Sequence, residues 1–268
     1  MMQLGKEALK NMLELQKINK TFHKGTVNES VLFRDFNLTV EKDNFISIIG
    51  SNGSGKSTLL NVICGTIPVD SGKVLLRGND ITKMKDFKRS DFIARVYQDP
   101  AKGSCPSFSI LENMALADNK GKPYLFTKAV NKSKIDEYRT HLEQLHLGLE
   151  NRIHDKVGNL SGGQRQALAM ITSTLTPNDI LILDEHTAAL DPKTADNIME
   201  LTYDLIKRKN LTTIMVTHNL KFALSYGNRL MMMHQGESII DVSGKEKERV
   251  QLSEVLERFN EISIETGN

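Results

Sequence analysis

The apolar run Phe45-Ile46-Ser47-Ile48-Ile49 leads into Gly50-Ser51-Asn52-Gly53-Ser54-Gly55-Lys56-Ser57, and the reading of this junction decides the fold. The second stretch is GxxxxGK[ST] without a mismatch, set between a predicted strand and a predicted helix on which Leu59, Leu60 and Ile63 recur at helical spacing. Glycines let the backbone turn tightly, so that successive N–H groups point inward at phosphate oxygens. The helix that starts there offers its unpaired N–H groups and the positive end of its dipole to the same anion. Gly50, Ser51, Asn52, Gly53, Ser54, Gly55, Lys56, Ser57 and Thr58 are therefore expected to hold phosphates. Lys56 would reach the β- and γ-phosphates and Ser57 would place its hydroxyl on Mg²⁺. A glycine-rich turn without a ligand is the competing reading, and the strand–loop–helix setting counts against it.

Two more apolar runs, Ile180-Leu181-Ile182-Leu183 and Thr213-Ile214-Met215-Val216, end in Asp184 and in Thr217-His218. Such runs suit strands buried on both faces of a parallel sheet, with the ligand at their polar ends. Asp184 is placed to hold Mg²⁺ through its water shell, and Glu185, one residue on, to orient a water for attack on the γ-phosphate. Taken alone, the two acids would read as a helix N-cap followed by a first-turn acid. Earlier in the chain, Leu13, Leu15 and Ile18, then Val31–Val40 with Phe36, Leu38 and Val40 alternating with polar residues, then Lys73–Leu76, read as a half-solvated antiparallel sheet. The stretch from about 100 to 175 is more polar, with helical patches at Ile110–Ala117 and Ile135–Leu147, and reads as an inserted helical subdomain. Helical spacing returns after Gly163 in Ala167, Met170, Ile171 and Leu175. Over Glu246–Ile262 one helix is expected, with Val250, Leu252, Val255, Leu256 and Phe259 on a single packing face. The expected organisation is an extension at 1–11, one α/β domain at 12–243 and a helical tail at 244–268.

A formal net charge of +2 gives no support for a nucleic-acid partner. The two cysteines, Cys64 among apolar residues and Cys105 in a Gly/Ser/Pro loop, make neither a disulfide framework nor a metal pair. No apolar run approaches the roughly 18 residues that span a bilayer, and Met1–Leu15 has no signal-peptide core. Any contact with a membrane is expected to run through a partner.

Leu160-Ser161-Gly162-Gly163-Gln164 opens another helix, so Ser161 and the N–H groups of Gly162 and Gly163 form a second anion-seeking end. With this signature the chain resembles the ABC ATPases from Met12 to about Val242, every motif in order. The resemblance implies a P-loop NTPase fold with a RecA-like parallel-sheet core, an antiparallel β subdomain and an inserted helical subdomain. It implies that Phe22 stacks on adenine, that Gln98 in Tyr97-Gln98-Asp99-Pro100 serves the metal and catalysis, and that Asp191 in Ala189-Leu190-Asp191, which resembles the D-loop, joins Gln98 among the nucleotide-binding residues. His218 would touch the γ-phosphate, so that Glu185, His218, Lys56 and Gln98 form the catalytic set and Ser57, Gln98 and Asp184 the Mg²⁺ set. The family also implies a head-to-tail homodimer that sandwiches two ATP molecules, Leu160 to Gln164 of one copy completing the site of the other.

His186 stands where the family commonly has proline, which removes a fixed φ and adds an ionisable donor; a loop variant without catalytic consequence is the simpler reading. The stretch Asp184–Thr194, with Gly25-Thr26-Val27-Asn28-Glu29 and Leu149-Glu150-Asn151-Arg152, resembles the ATPase subunits of bacterial importers for tryptophan or tyrosine. Those act at the cytoplasmic face of the membrane with a permease and a substrate-binding lipoprotein, and the helical insert with the Gln98 loop would form the groove that receives a short permease helix. The alternative is a soluble ABC ATPase of an assembly machinery such as iron–sulfur cluster biogenesis. DNA-repair and translation proteins of the family need a long coiled coil or tandem domains, and the sequence has neither.

Overall fold

The computed structural model describes residues 10–122 and 129–266. Residues 1–9, most of the expected extension, lie outside the described residues, while Asn11, also assigned to it, is the first residue of a strand. Strand β1 (Asn11–Phe22) pairs antiparallel with β2 (Ser30–Glu41) and β4 (Ser71–Leu76), and β5 (Asn79–Asp80) closes a four-stranded sheet of order β2-β1-β4-β5. Along β2, Phe36, Leu38 and Val40 are buried while Asn37 and Thr39 are exposed, the period of a sheet with one face in water.

The second sheet has the order β10-β9-β3-β8-β7-β6. Strands β3 (Phe45–Gly50), β6 (Ile93–Val96), β7 (Ile180–Asp184), β8 (Thr212–Val216) and β9 (Arg229–His234) run parallel, and β10 (Glu237–Ser243) returns antiparallel on β9. Every residue of β3 and β8 is buried, because both faces of this sheet are covered. On one face Ile180, Ile182, Ile214 and Met231 meet helix α1 (Lys56–Cys64) and the inner face of the antiparallel sheet. On the other, Leu181, Leu183, Met215 and Val96 meet α2 (Ile110–Asp118), α3 (Ile135–Glu143), α4 (Gly162–Ser173) and α5 (Pro192–Lys209). The strict alternation of Ile180/Ile182 and Leu181/Leu183 between two cores is the two-residue period of the strand made visible.

Strands β6, β9 and β10 were not singled out from the sequence. The centre of β9, Met231-Met232-Met233, is built from a residue that prefers helices, and burial in the sheet overrides that preference. Its hairpin to β10 turns on Gln235 (φ 44°) and Gly236 (φ 82°), both left-handed as a tight hairpin requires. A Cβ on Gly236 would lie 1.6 Å from the Leu32 carbonyl oxygen, so no other residue fits. A buried arginine secures α1: Arg89 Nη1 donates to the carbonyls of Val62 and Ile63, each at 2.8 Å, where the helix ends.

The C-terminal region differs from the single helix expected. A short helix at Lys245–Arg249 stops at Val250, whose extended backbone (φ −62°, ψ 123°) re-phases the chain before α6 (Leu252–Thr266). Lys247 is buried there, its ammonium donating to the carbonyls of Tyr226 and Gly227. Val250, Val255 and Phe259 still pack on Ile49, Ala223, Leu230 and Met232, but Leu252 and Leu256 turn outward, each 45% exposed. Among the described residues no helix is long and apolar enough to cross a membrane.

His186 is a buried structural group rather than a surface donor. It sits in the turn after β7, 2% exposed, with Nε2 3.3 Å from Thr202 Oγ1 of α5. Burial pushes its pKa down to about 4, so it is neutral in the folded protein at neutral pH. The unfolded chain takes up a proton near the ordinary value of 6.5 and the folded chain only near 4, so stability falls as pH drops through that window. A His186→Gln variant, which keeps a partner for Thr202 and does not titrate, is expected to lose less stability between those two pH values, by up to about 3 kcal/mol. Urea unfolding across that range checks this, and equal losses in both proteins would refute it.

Candidate nucleotide and hydrolysis site

Parallel pairing brings four strand ends to one edge of the sheet. In the order β3-β8-β7-β6, the strands finish at Gly50, Val216, Asp184 and Val96. Asp184 is in register with Val216, Val216 with Ile48, and Leu183 with Val96. Two further backbone bonds carry the register past the ends: Glu185 N donates to Val216 O at 2.9 Å, and Thr217 N to Ile48 O at 3.2 Å. The phosphate loop, His218, the two acids and Gln98 therefore emerge side by side, at the carboxyl edge where α/β sheets bind ligands.

The loop is held from outside and from within. Gly50 has φ 150°, and a Cβ on it would lie 2.2 Å from the Met233 carbonyl oxygen of β9, so glycine is required. Gly55, at φ 101°, caps α1 in the left-handed region. Gly236 N donates to Ser54 O at 3.0 Å, which fastens the buried Ser54 to the β9–β10 hairpin. Lys56 is only 5% exposed, and its Nζ lies inside the loop, donating to Gly50 O at 2.7 Å and Ser51 O at 2.9 Å. Burial lowers its pKa, opposed by the carboxylate of Glu185. Asn52, Gly53 and Ser57 are exposed, and Ser51 and Thr58 half-buried. Phe22 ends β1 half-buried, with Lys20 Nζ 5.5 Å from its ring centroid. Lys20 is paired with Phe33, whose ring is 3.3 Å from the position of a Cβ on Gly55; the end of β1 thus lies beside the loop.

The adjacent acids diverge. Asp184 turns toward β6, where Arg95 Nη2 donates to its Oδ2 at 2.5 Å. Glu185 turns toward β8, where His218 Nε2 lies 2.7 Å from its Oε1. The divergence coincides with a left-handed backbone at Glu185 (φ 48°), a conformation that costs a non-glycine residue about 1–2 kcal/mol. Gln98 is exposed in the turn after β6, and the buried Gln166 of α4 donates to the Tyr97 carbonyl beside it at 3.2 Å. Arg95 was missed in the sequence. Its signal is a lone arginine in the apolar strand Ile93–Val96 just before Tyr97-Gln98.

At the signature, Ser161 caps α4 through a reciprocal box: Gln164 N donates to Ser161 Oγ at 3.3 Å, and Ser161 N to Gln164 Oε1 at 3.1 Å. That box occupies both side chains, which leaves the Gly162 and Gly163 N–H groups for any anion at this helix end. Leu160 is buried. The second glycine also answers to packing, since a Cβ on Gly163 would lie 2.5 Å from Thr194 Cγ2, and one on Gly162 3.4 Å from Leu190 Cδ2. Asp191 uses its carboxylate to cap α5, accepting from Thr194 N at 3.1 Å, and the Thr194 hydrogen bonds hold its pKa below the usual value. Among the described residues no cluster of three His, Cys, Asp or Glu side chains could hold a metal. The expected donors Ser57, Gln98 and Asp184 bring one carboxylate at a partly exposed strand end. That set suits Mg²⁺, which keeps several waters and binds through one or two carboxylates together with substrate phosphates.

Three comparisons place this geometry among known proteins. The family model described as ABC transporter matches residues 33–188. A tyrosine transport ATP-binding protein of Clostridioides difficile (strain R20291) is 46% identical over 248 residues, covering 92% of this chain and 98% of that protein. The ATP-binding cassette MJ1267 of an ABC transporter, solved in its ADP conformation, superposes with a TM-score of 0.77 at 27% identity, over 95% of this chain and 98% of that one. The dimeric post-hydrolysis structure of the cassette MJ0796, bound to ADP and Pi, gives 0.70 at 29% identity, over 87% and 98%. The chain belongs to the ABC transporter family, as its ATP-binding and ATP-hydrolysing component.

Proposed function

We propose that two copies of this chain, arranged head to tail, bind and hydrolyse ATP to drive a separate membrane permease that imports a small solute, with an aromatic amino acid as the cargo class. The meeting of the phosphate loop, Asp184-Glu185 and His218 at the ends of β3, β7 and β8 is the observation that carries the reading. In this assignment Phe22 stacks on adenine and residues 50–58 surround the phosphates. Lys56 exchanges its loop carbonyls for β- and γ-phosphate oxygens. Ser57, Gln98 and Asp184 would hold Mg²⁺ directly or through water, and the ion would supply charge neutralisation on the phosphate oxygens. Glu185 accepts a hydrogen bond from the attacking water and orients it in line with the γ-phosphate. His218, already 2.7 Å from Glu185, holds that carboxylate and contacts the γ-phosphate.

The free N–H groups of Gly162 and Gly163, with Leu160, Ser161 and Gln164, cover the γ-phosphate held by the opposite copy, and the turn at Asp191 lies at the contact between copies. A C₂ pair then contains two composite sites, and ATP favours the closed pair because half of its contacts exist only there. The dimeric state in which MJ0796 was solved supports this arrangement. Residues 12–243 form the ATPase domain, with the helical subdomain at about 100–175 and the tail at 244–268. A broad cleft where residues 64–97 meet the helical subdomain, lined by the exposed Phe87 and Leu116 together with Tyr97 and Cys105, is the surface for the permease helix. The protein would act at the cytoplasmic face of the membrane, peripheral through the permease, with a substrate-binding lipoprotein as a more distant partner. The transport name of the Clostridioides difficile relative supports this over a role in iron–sulfur assembly, and supports tyrosine or a similar solute as cargo.

The Glu185→Gln variant is expected to bind ATP with unchanged affinity and to hydrolyse it at least about 100-fold more slowly, the usual range for a lost general base. Wild-type turnover by it would remove Glu185 from the role. His218→Ala is expected to retain nucleotide binding and to lose turnover about tenfold or more, because it removes contacts to both the water-orienting carboxylate and the γ-phosphate. At saturating ATP the Glu185→Gln protein is expected to crosslink as a dimer, whereas monomers alone would overturn the head-to-tail reading. Reconstitution with the permease and lipoprotein in vesicles, read by ATP-dependent uptake of labelled tyrosine, tests direction and cargo together.

A further inference from the structure

Asp184 has a neighbour to which no step above gives a role. Arg95 stands in β6 opposite Ile182 of β7, between the buried Ala94 and Val96. Its side chain shares the sheet face of Ile93, Ile180 and Ile182, the face covered by α1. There Nη2 donates to Asp184 Oδ2 at 2.5 Å and Nη1 to Asn61 Oδ1 at 2.8 Å, while the guanidinium lies 4.8 Å from the centroid of the Tyr97 ring. Nε is buried and makes no hydrogen bond. The side chains of Arg95 and Asp184 are 12% and 18% exposed.

A guanidinium placed in an apolar layer is desolvated, and pairing must offset that loss. The Cys64 side chain also lies against this guanidinium, and the oxygens that it bonds are those of Asp184 and Asn61. Those two bonds join three elements: the strand that leads to Gln98, the strand that carries the acids, and the helix that leaves the phosphate loop. They also divide the Asp184 carboxylate. Oδ2 is taken, whereas Oδ1 receives no hydrogen bond from the described residues. A carboxylate gripped at one oxygen has lost its rotational freedom before any metal arrives, and such outer contacts commonly govern metal affinity.

We propose that Arg95 is a positioning residue for the metal: it fixes Asp184 by Oδ2, aligns it through Asn61 with the helix that follows the phosphate loop, and leaves Oδ1 for Mg²⁺. The inference rests on Asp184 as the metal carboxylate. It also has a physical rival of opposite sign, because a positive charge beside the site repels a cation and its removal would tighten metal binding.

Mn²⁺ in place of Mg²⁺ separates the two, since free Mn²⁺ is counted directly by its paramagnetic resonance in the presence of a saturating non-hydrolysable ATP analogue. Arg95→Met is expected to weaken Mn²⁺ binding about tenfold, the lower end of the range for lost outer-shell partners. Affinity for the analogue in EDTA should stay within about twofold of wild type. Arg95→Lys, which keeps a charged donor for Oδ2, should recover most of the loss, and Asn61→Ala should weaken Mn²⁺ about threefold; these two carry the test if Arg95→Met does not fold. Mn²⁺ affinity that is unchanged or tighter in these variants overturns the proposal, and a lowered melting temperature with unchanged Mn²⁺ affinity marks Arg95 as structural only. An Asp184→Asn protein that binds Mn²⁺ with the analogue as tightly as wild type overturns the assignment of Asp184 itself.

Discussion

The parallel hydrogen bonding of β3, β8 and β7 fixes where every polar group of the site can stand. Asp184, Val216 and Ile48 share a rung, so the strands end together and the chain leaves each of them at the same edge. Beyond that rung the backbone bonds from Glu185 to Val216 and from Thr217 to Ile48 carry the alignment for one more residue. A slip of a single residue in either strand would invert its side chains, sending Leu181 and Leu183 to the wrong core and turning Asp184 away. The two cores that flank the sheet oppose such a slip, so apolar packing beneath the site keeps the polar groups above it in place.

Charge is arranged along that edge in alternation. Lys56 lies in the loop within the field of Glu185, Glu185 bonds His218, and Asp184 bonds Arg95. Adjacent acids with separate partners do not share a charge environment, which is what the proposed division between a metal and a water requires. The left-handed backbone at Glu185 is part of the same division, because it turns the second acid toward β8 instead of along the strand. Strain of this kind persists only where surrounding structure over-determines it. Here the Ala188–Glu185 backbone bond and the buried His186–Thr202 contact hold the turn on both sides.

Two helix ends in this molecule are proposed to meet phosphate, and they are prepared differently. The α1 end is an open cradle of loop N–H groups with a lysine inside it. The α4 end is a closed capping box with only glycine N–H groups left over, pressed against Leu190 and Thr194. The contact ties the signature to the turn that carries Asp191. A movement of either one is therefore felt by the other, and at Gly163 the close approach of Thr194 is a packing reason for glycine in its own right.

How much of this was legible in the sequence depended on whether the cause was local. Gly50–Ser57, Asp184-Glu185 and Leu160–Gln164 could be read because tight turns, strand ends and helix caps leave their marks within a few residues. The burial period of β2 and the unbroken burial of β3 and β8 were equally plain. What stayed hidden was set by partners distant in the chain. Met231-Met232-Met233 is a strand paired with β3, and the helix that ends before Val250 holds Lys247 on the distant Tyr226 and Gly227 carbonyls. Burial beside Thr202 lowers the proton affinity of His186, and Arg95 meets its partner Asp184 89 positions away. The sequence by itself determined the phosphate-binding chemistry, since turn and cap geometry are short-range; the tertiary structure alone decided which charges meet, because a charge is defined by whatever folds against it.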